Sequence, residues 1–361
     1  MYFCPSIHTH MKNCYINGIG SVSIQTIDFD FFESEAIEIQ ILNKAQQPSY
    51  KELIAPAMSR RMAKGIKMSI YAAKQAMNEA ESPTLDAILT GTSLGCIEDS
   101  EKFLEAIIEN EEQFLTPTAF IQSTHNTVAA QIALQLQCKA YNFTYVNGGN
   151  SFESALFDGL LQLKFNNAEN ILVGGVDEIA PYTYSMFEMI GRVKKENTPI
   201  DFRNPDSSGV PYAEGANFFV LSSEKSPESY AEILDVTLMN ELPQDDYSGF
   251  VTDFLSQNNL KTEDIDVVFF GVNADKNQQP FYDELTQKLF NQMPIAYYQH
   301  LSGSYDTASA YGLKVAAEVL KKQSYPEQIQ WNDVKPTQLQ RVLLIHQSLQ
   351  ADYSLVLLSK C

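Results

Sequence analysis

Few residues in this 361-residue sequence have a type and position that covalent chemistry could use. Cys96 follows an apolar run and the tight turn Gly91–Gly95, which is a plausible place for a nucleophile. Ser151 opens an apolar helix pattern, but no base lies near it, and its place favours a helix N-cap. Glu214 precedes small residues and a buried strand, where a carboxylate more often accepts hydrogen bonds from backbone amides than acts as a base. The chain therefore offers two candidate nucleophiles and little to activate them.

The cysteines argue against a metal centre or a disulfide framework. They are few, odd in number and lack CxxC spacing, which predicts reduced thiols and no metal site. No cofactor motif accompanies them, so we expect no cofactor. The five are Cys4, Cys14, Cys96, Cys138 and Cys361.

The elements that must position any site alternate between strand and helix patterns, which predicts α/β layers over mainly parallel sheets. About five strands fall on each side of Pro227, which suggests a duplicated architecture. Predicted strands are Cys14–Ile19, Ala87–Thr90, Phe143–Val146, Asn170–Val173, Phe218–Ser222, Ala231–Leu238, Val267–Phe270, Ile295–Tyr298, Val342–Ile345 and Ser354–Leu358. Predicted helices are Ser59–Ala80, Ser100–Glu111, Thr127–Leu136, Ser151–Phe165, Ser248–Asn258, Gln279–Asn291 and Thr307–Lys322.

Composition and charge exclude several classes of function. The net charge of −20 opposes nucleic-acid binding, which needs Lys and Arg to neutralise phosphates. Two basic clusters exist, Arg60–Lys67 and Arg192–Lys195, and we expect both to be solvated charges. No apolar run reaches the roughly 20 residues that span a bilayer, so stable membrane insertion is not expected. The first ten residues lack the features of a secretory signal, which favours a cytoplasmic protein.

Several segments, in this order, resemble the β-ketoacyl synthase branch of the thiolase superfamily. The resemblance implies a thiolase-like five-layered αβαβα fold with two duplicated halves, usually dimeric. It divides the chain into an N-terminal appendage (1–13), an N-terminal half (14–226) and a C-terminal half (227–361). The segments are Tyr15–Ser23, Ser59–Met62 with the helix Gly65–Met77, Pro117–Ala133, Asn170–Glu178 and Asp206–Leu221.

The same resemblance places three unreactive residues where active members of the family carry a cysteine and two histidines. Gly149 takes the place of the nucleophile, Gly271 that of the first imidazole, and Ser304 that of the second. Gln299 stands near the usual lysine, and the glycine-rich gating loop is replaced by His346–Ala351. The resemblance therefore implies no catalytic residues. His300, four residues from Ser304, could be a displaced base, although a lone histidine is more often structural.

The best match within the family is a chain-length-factor subunit, similar to those of aryl polyene and flexirubin-type pigment pathways. Such a subunit pairs with an active ketosynthase and shapes its polyketide tunnel, while the acyl carrier protein docks mainly on the catalytic subunit. Two alternatives stay open: an active 3-oxoacyl-ACP synthase that uses Ser151 or Cys96, and a homodimeric acyl-binding protein. The resemblance places some residues of one interface segment near the partner's acyl pocket, although ordinary packing would also explain each. The candidates for the partner interface and acyl tunnel are Phe120, Ile121, Gln122, Thr124, His125 and Asn126.

Overall fold

Strands and helices alternate along the chain as the apolar patterns predict. The structure is a computed structural model and describes residues 12–115, 117–165, 167–243, 246–349 and 351–361, so most of the predicted appendage lies outside it. The strands are β1 Tyr15–Val22, β2 Leu42–Asn43, β3 Ala87–Gly91, β4 Tyr141–Tyr145, β5 Asn170–Asp177, β6 Tyr212–Ala213, β7 Gly215–Ser222, β8 Glu232–Asn240, β9 Val267–Phe270, β10 Ile295–Tyr297, β11 Arg341–Ser348 and β12 Asp352–Ser359. The helices are α1 Pro56–Ser59, α2 Lys64–Glu79, α3 Ile97–Glu109, α4 Pro117–Ser123, α5 Thr127–Leu136, α6 Ser151–Lys164, α7 Pro181–Met189, α8 Tyr247–Gln257, α9 Gln279–Lys288, α10 Gln299–Ser302 and α11 Ser309–Lys322.

The main sheet has the strand order β10-β9-β11-β12-β8-β1-β7-β5-β3-β4, so each half of the chain supplies five neighbouring strands. Each half repeats one pattern, in which three parallel strands are followed by two antiparallel ones. The expectation of mainly parallel sheets is therefore wrong, because half of the pairs within each half are antiparallel. A short turn joins β11 to β12, and such a turn permits only antiparallel pairing. The domain boundary after residue 226 stays a prediction.

The helices form three layers, one between the two five-strand halves and one on the outer face of each half. Helices α6 and α11 contact strands from both halves and form the middle layer. Helices α2 and α5 cover the outer face of the first half, where α2 packs on β1, β7 and β5. Side chains from α8 and α9 share an apolar core with β9, β11 and β12 on the outer face of the second half. The two five-strand halves of the sheet are joined where β1 pairs with β8, and the layers follow the order helix, first half, helix, second half, helix.

The predicted helix Ser59–Ala80 is interrupted, since Arg60–Ala63 separates α1 from α2. Buried acidic groups fix the later start. The N–H of Gly65, in the first turn of α2, donates to the Glu178 carboxylate at 2.5 Å, and Lys64 pairs with Glu214 at 2.6 Å. A carboxylate at a helix N-terminus satisfies free amides and interacts favourably with the dipole. Within the described residues, no helix is both long and apolar enough to cross a membrane.

Candidate functional site

Gly149, Gly271 and Ser304, distant in sequence, meet around the turn between β11 and β12. Gly149 lies just before α6, Gly271 just after β9, and Ser304 just after α10. Gln299 joins the last two, because its Nε2 donates to the Gly271 carbonyl at 3.0 Å and its Oε1 accepts from the Ser304 hydroxyl. The three positions therefore belong to one site.

The space for a side chain at Gly149 is already filled by the residues that flank the β11–β12 turn, Ser348 at the end of β11 and Asp352 at the start of β12. A Cβ placed on Gly149 would lie 2.3 Å from the Cβ of Ser348, well inside van der Waals contact. The Gly149 N–H donates to Asp352 Oδ2 at 2.8 Å, and Asp352 Oδ1 accepts from Asn240 at 2.5 Å. An amide in this position could stabilise an oxyanion, but here it already donates its hydrogen bond to a carboxylate of the same chain.

At Gly271 the missing side chain is replaced by one from a neighbouring strand. A Cβ on Gly271 would lie 2.5 Å from Nδ1 of His346, on β11, and 2.9 Å from the Tyr298 hydroxyl. His346 Nδ1 and this hydroxyl are hydrogen-bonded at 2.8 Å. Burial lowers the pKa of His346 to about 4, although the nearby Asp306 opposes the shift, so the imidazole is neutral at pH 7. The site holds an imidazole, but one that packs in the interior.

The cavity that remains between these groups is very small. Its volume is about 30 Å³, and Gln299, Ser304, His346 and Ser348 are among its lining residues. Pockets that hold organic ligands have volumes of roughly 300–1,000 Å³, so neither a malonyl group nor an acyl chain fits. An ion pair between Arg192 and Asp306, at 2.5 Å, is part of the same wall. The site is therefore closed by the chain's own side chains.

Two buried carboxyl groups, those of Glu153 and Asp177, form hydrogen bonds near this closed site. Glu153, in the first turn of α6, is fully buried and accepts from Ser354 Oγ at 2.9 Å, and burial raises its pKa to about 7. Asp177 accepts from the N–H groups of Ser93 at 2.9 Å and Thr307 at 3.0 Å. Burial, followed by the nearby Asp306, raises the pKa of Asp177. These carboxyls join strand ends to helix starts and do not reach an open pocket.

The two candidate nucleophiles are also placed for structure. Cys96 is fully buried, and burial, with Glu178 and Asp99 nearby, raises the pKa of its thiol, which disfavours the reactive thiolate. Ser151 is buried too, and its hydroxyl donates to the Gly148 carbonyl at 2.7 Å and accepts from the Asn147 N–H at 2.9 Å. The expectation that Ser151 caps α6 is wrong by one residue, since Asn150 holds the cap position.

Glu214 is confirmed as an acceptor for backbone amides. Its two carboxylate oxygens accept from Ala45 at 3.2 Å and Ile179 at 2.9 Å. His300, the displaced-base candidate, lies elsewhere: its ring stacks on Tyr297 at 3.8 Å between centroids and lines a separate open groove of about 1,070 Å³. The structure therefore does not bring His300 to the Gly149 site.

In the basic cluster Arg192–Lys195 only Lys195 is exposed, so the expectation of solvated charges is wrong for Arg192 and Lys194. Lys194 is fully buried and its Nζ donates to Ser207 Oγ at 2.8 Å, while burial lowers its pKa. Arg192 is held by Asp306. Arg60 and Arg61 are exposed, as expected. The cationic surface is thus even smaller than the sequence suggests.

The six predicted interface residues lie on α4 and in the turn that leads to α5. Phe120 is 54% exposed, and Ile121, Thr124 and Asn126 are also exposed, whereas Gln122 and His125 are half-buried. Helices α3 and α4, whose residues are all described, contain no buried residue. Strand β4 is the edge of the sheet and exposes Phe143 by 46%. Both features leave apolar surface uncovered on a single chain.

His346, Ser348 and Asp352 are site residues that the sequence did not identify as such. His346 and Ser348 stand in the segment that replaces the glycine-rich loop, and Asp352 follows it directly. Their contacts with Gly271 and Gly149 join positions 75 and more residues apart. A single sequence carries no signal for such a contact, because each glycine alone is compatible with an open site.

Comparison with known proteins bears on the fold. Residues 34–199 match the β-ketoacyl synthase N-terminal domain. No curated protein matches the chain. Among solved structures, the ishigamide ketosynthase/chain length factor is similar with a TM-score of 0.79 at 16% identity, over 97% of this chain and 100% of that one.

Two further structures have the same architecture. A β-ketoacyl synthase from Burkholderia phymatum has a TM-score of 0.79 at 15% identity, over 97% of this chain and 100% of that one. A ketosynthase in complex with its chain length factor, from Xenorhabdus doucetiae, has a TM-score of 0.77 at 14% identity, with both chains fully covered. At these identities the likeness is one of fold. The chain therefore has the thiolase-like ketosynthase fold, and its residues 34–199 match the β-ketoacyl synthase N-terminal domain.

Proposed function

We propose that this chain is a catalytically silent ketosynthase-like subunit, a chain length factor, that pairs with an active ketosynthase. The observation that carries the proposal is the filling of the nucleophile position. Ser348 occupies the space beside Gly149, and Asp352 already accepts the Gly149 N–H. No substrate carbonyl can reach that amide without displacing the β11–β12 turn. The chain keeps the ketosynthase fold, whereas its own side chains fill the position of the reaction centre.

The uncovered apolar surface supports a partner. An edge strand with free amides and carbonyls invites pairing with another chain, and β4 presents its aromatic side chains along such an edge. Helices α3 and α4 are stabilised little by packing on the core of a single chain, since none of their residues is buried. A partner laid against β4 and α4 would cover Phe120 and Phe143 together. We assign this surface to the ketosynthase interface.

The substrate would be a growing chain on an acyl carrier protein, bound in the partner's tunnel. Phe120 and Ile121 would border that tunnel and help to set the product's length. The carrier would dock mainly on the catalytic subunit, because the cationic surface of this chain is small and Arg192 and Lys194 are engaged internally. A product of the aryl polyene or flexirubin type, and a cytoplasmic location, belong to the same proposal.

The test is co-expression with a ketosynthase that keeps its Cys-His-His triad, from the same gene neighbourhood. We expect a stable 1:1 complex, and we expect Phe120→Ala to change the length of its product without changing assembly. Met189→Ala, at an exposed apolar residue on α7 outside this surface, serves as the matched control. A chain that forms a homodimer and ignores the ketosynthase would favour the acyl-binding alternative. Unchanged product from Phe120→Ala would remove Phe120 from the tunnel.

A further inference from the structure

The loop Asn110–Leu115, between α3 and α4, exposes an aromatic side chain on an unfavourable backbone. Phe114 is 93% exposed, more than any other large apolar residue that the structure describes. Three of the loop's residues have positive φ without being glycine: Glu111 at 51°, Glu112 at 64° and Phe114 at 53°. Each costs free energy in an L-residue, and the cost is larger for a bulky side chain. The loop therefore exposes an aromatic ring to water at a cost in conformational free energy. Such a ring is suited to insertion into a pocket on another protein.

The charges around Phe114 have one sign. Glu109, Glu111 and Glu112 are exposed, and none of them forms an ion pair with a described residue. On α3, the exposed Leu104 and Ile108 stand four residues apart and therefore share one face of the helix. Phe114 therefore follows a helix with an exposed apolar face, in a loop whose charged residues are all carboxylates.

This charge pattern restricts what can cover the loop. A second copy of this chain carries the same net charge of −20, and acyl carrier proteins are usually acidic, so both would bring like charge to the three glutamates. An apolar pocket with a Lys- or Arg-rich rim complements the loop in both shape and charge. Of the three partners considered within the proposed function, the ketosynthase subunit is the one that remains once like charge disfavours the other two.

We propose that Phe114 is an anchor that inserts into an apolar, basic-rimmed pocket of the ketosynthase partner, and that Glu109, Glu111 and Glu112 select this partner over a second copy and over the carrier protein. The inference rests on the proposed heterodimer and names the contact that specifies it. Exposed aromatic residues that become fully desolvated are the usual energetic centres of interfaces. Acidic residues at the border act mainly on the rate of association.

The experiment measures association and dissociation rates of this chain with the triad-bearing ketosynthase by surface plasmon resonance, at low and at moderate salt. Phe114→Ala should weaken binding at least tenfold, mainly through faster dissociation. The triple variant Glu109→Gln, Glu111→Gln and Glu112→Gln should slow association several-fold at low salt and flatten its salt dependence. Met189→Ala, on α7 and 78% exposed, is the matched control and should bind as the wild type does.

The outcomes separate this inference from the proposal beneath it. If the wild-type chain binds the ketosynthase and Phe114→Ala binds equally well, the anchor is wrong and the heterodimer stands. If the wild-type chain binds no such ketosynthase, both fail. A homodimer that Phe114→Ala dissociates, or a carrier protein that binds through Phe114, would overturn the choice of partner. Because Phe114 is almost wholly exposed, the melting temperature of Phe114→Ala should equal that of the wild type. An equal melting temperature would exclude misfolding as the cause of weaker binding.

Discussion

At the scale of single residues, two missing side chains are replaced by atoms from other strands. Ser348 stands where a side chain on Gly149 would project, and His346 stands where one on Gly271 would project. Interiors are packed densely enough that a lost side chain either leaves a cavity or is compensated by a neighbour. Here both positions are compensated, so restoring one catalytic residue is not expected to restore a site.

Gly149→Cys tests this compensation. We expect it to lower the free energy of unfolding by about 1–3 kcal/mol, because its Cβ meets Ser348 at 2.3 Å. We also expect no acyl adduct, since the thiol has no room for a substrate. The measurement is urea unfolding together with intact mass after incubation with an acyl donor. The double variant Gly149→Cys with Ser348→Gly should recover part of the stability. A stable single variant that acylates would contradict the closed site.

Glu153 gives a second residue-scale prediction, which concerns pH. Its folded-state pKa of about 7 lies above the ordinary value of 4.5, so the folded protein retains a proton that the unfolded chain releases. The free energy of unfolding should therefore fall, through this group, as pH rises from about 4.5 to about 7, by on the order of 3 kcal/mol. Glu153→Gln should match the wild type near pH 4.5 and exceed its stability at pH 8. Parallel stability curves for the two proteins would refute the assignment.

At the scale of elements, α3, α4 and β4 are the parts that a single chain leaves unsupported. Strand β4 ends the sheet, and both helices lack a buried residue. Helices α6 and α11, by contrast, lie between the two halves and are largely buried. The proposed interface therefore consists of elements that pack weakly within the single chain.

Phe143→Lys tests the edge strand. A lysine on an edge strand opposes pairing with a second chain and costs the monomer little, because this side chain is already half exposed. We expect the complex with the ketosynthase to weaken at least tenfold while the melting temperature of the isolated chain is unchanged. Ile190→Lys, an exposed apolar residue at the end of α7, is the control. Equal binding by both variants would show that β4 is not part of the interface.

The elements also show how far the sequence alone reaches. The ten longer strands were predictable because each is a short apolar run bounded by turn residues. The two-residue strands β2 and β6 were not, since they exist only where Leu42 and Tyr212 meet. Helix α7 has a proline at its first position but few periodic apolar residues. The location of the site followed from the family resemblance, whereas its closure depends on contacts such as Gly271 with His346 that only the folded chain reveals.

At the scale of the whole molecule, the duplicated fold and the negative net charge both favour a role as a supporting subunit. Two five-strand halves of one pattern enclose α6 and α11, so the middle of the molecule is preserved although its reaction centre is closed. The net charge of −20 and the internal use of Arg192 and Lys194 leave little surface that would attract an acidic carrier. A molecule with this shape, charge and closed centre is suited to support a catalytic partner.

The most direct measurement is the intact mass of both subunits in the purified complex after incubation with acyl and malonyl donors. We predict that the ketosynthase gains the mass of an acyl group while this chain keeps its unmodified mass. The isolated chain should also decarboxylate no malonyl donor. An acyl adduct on this chain, at Ser151 or Cys96, would contradict the account of a silent subunit.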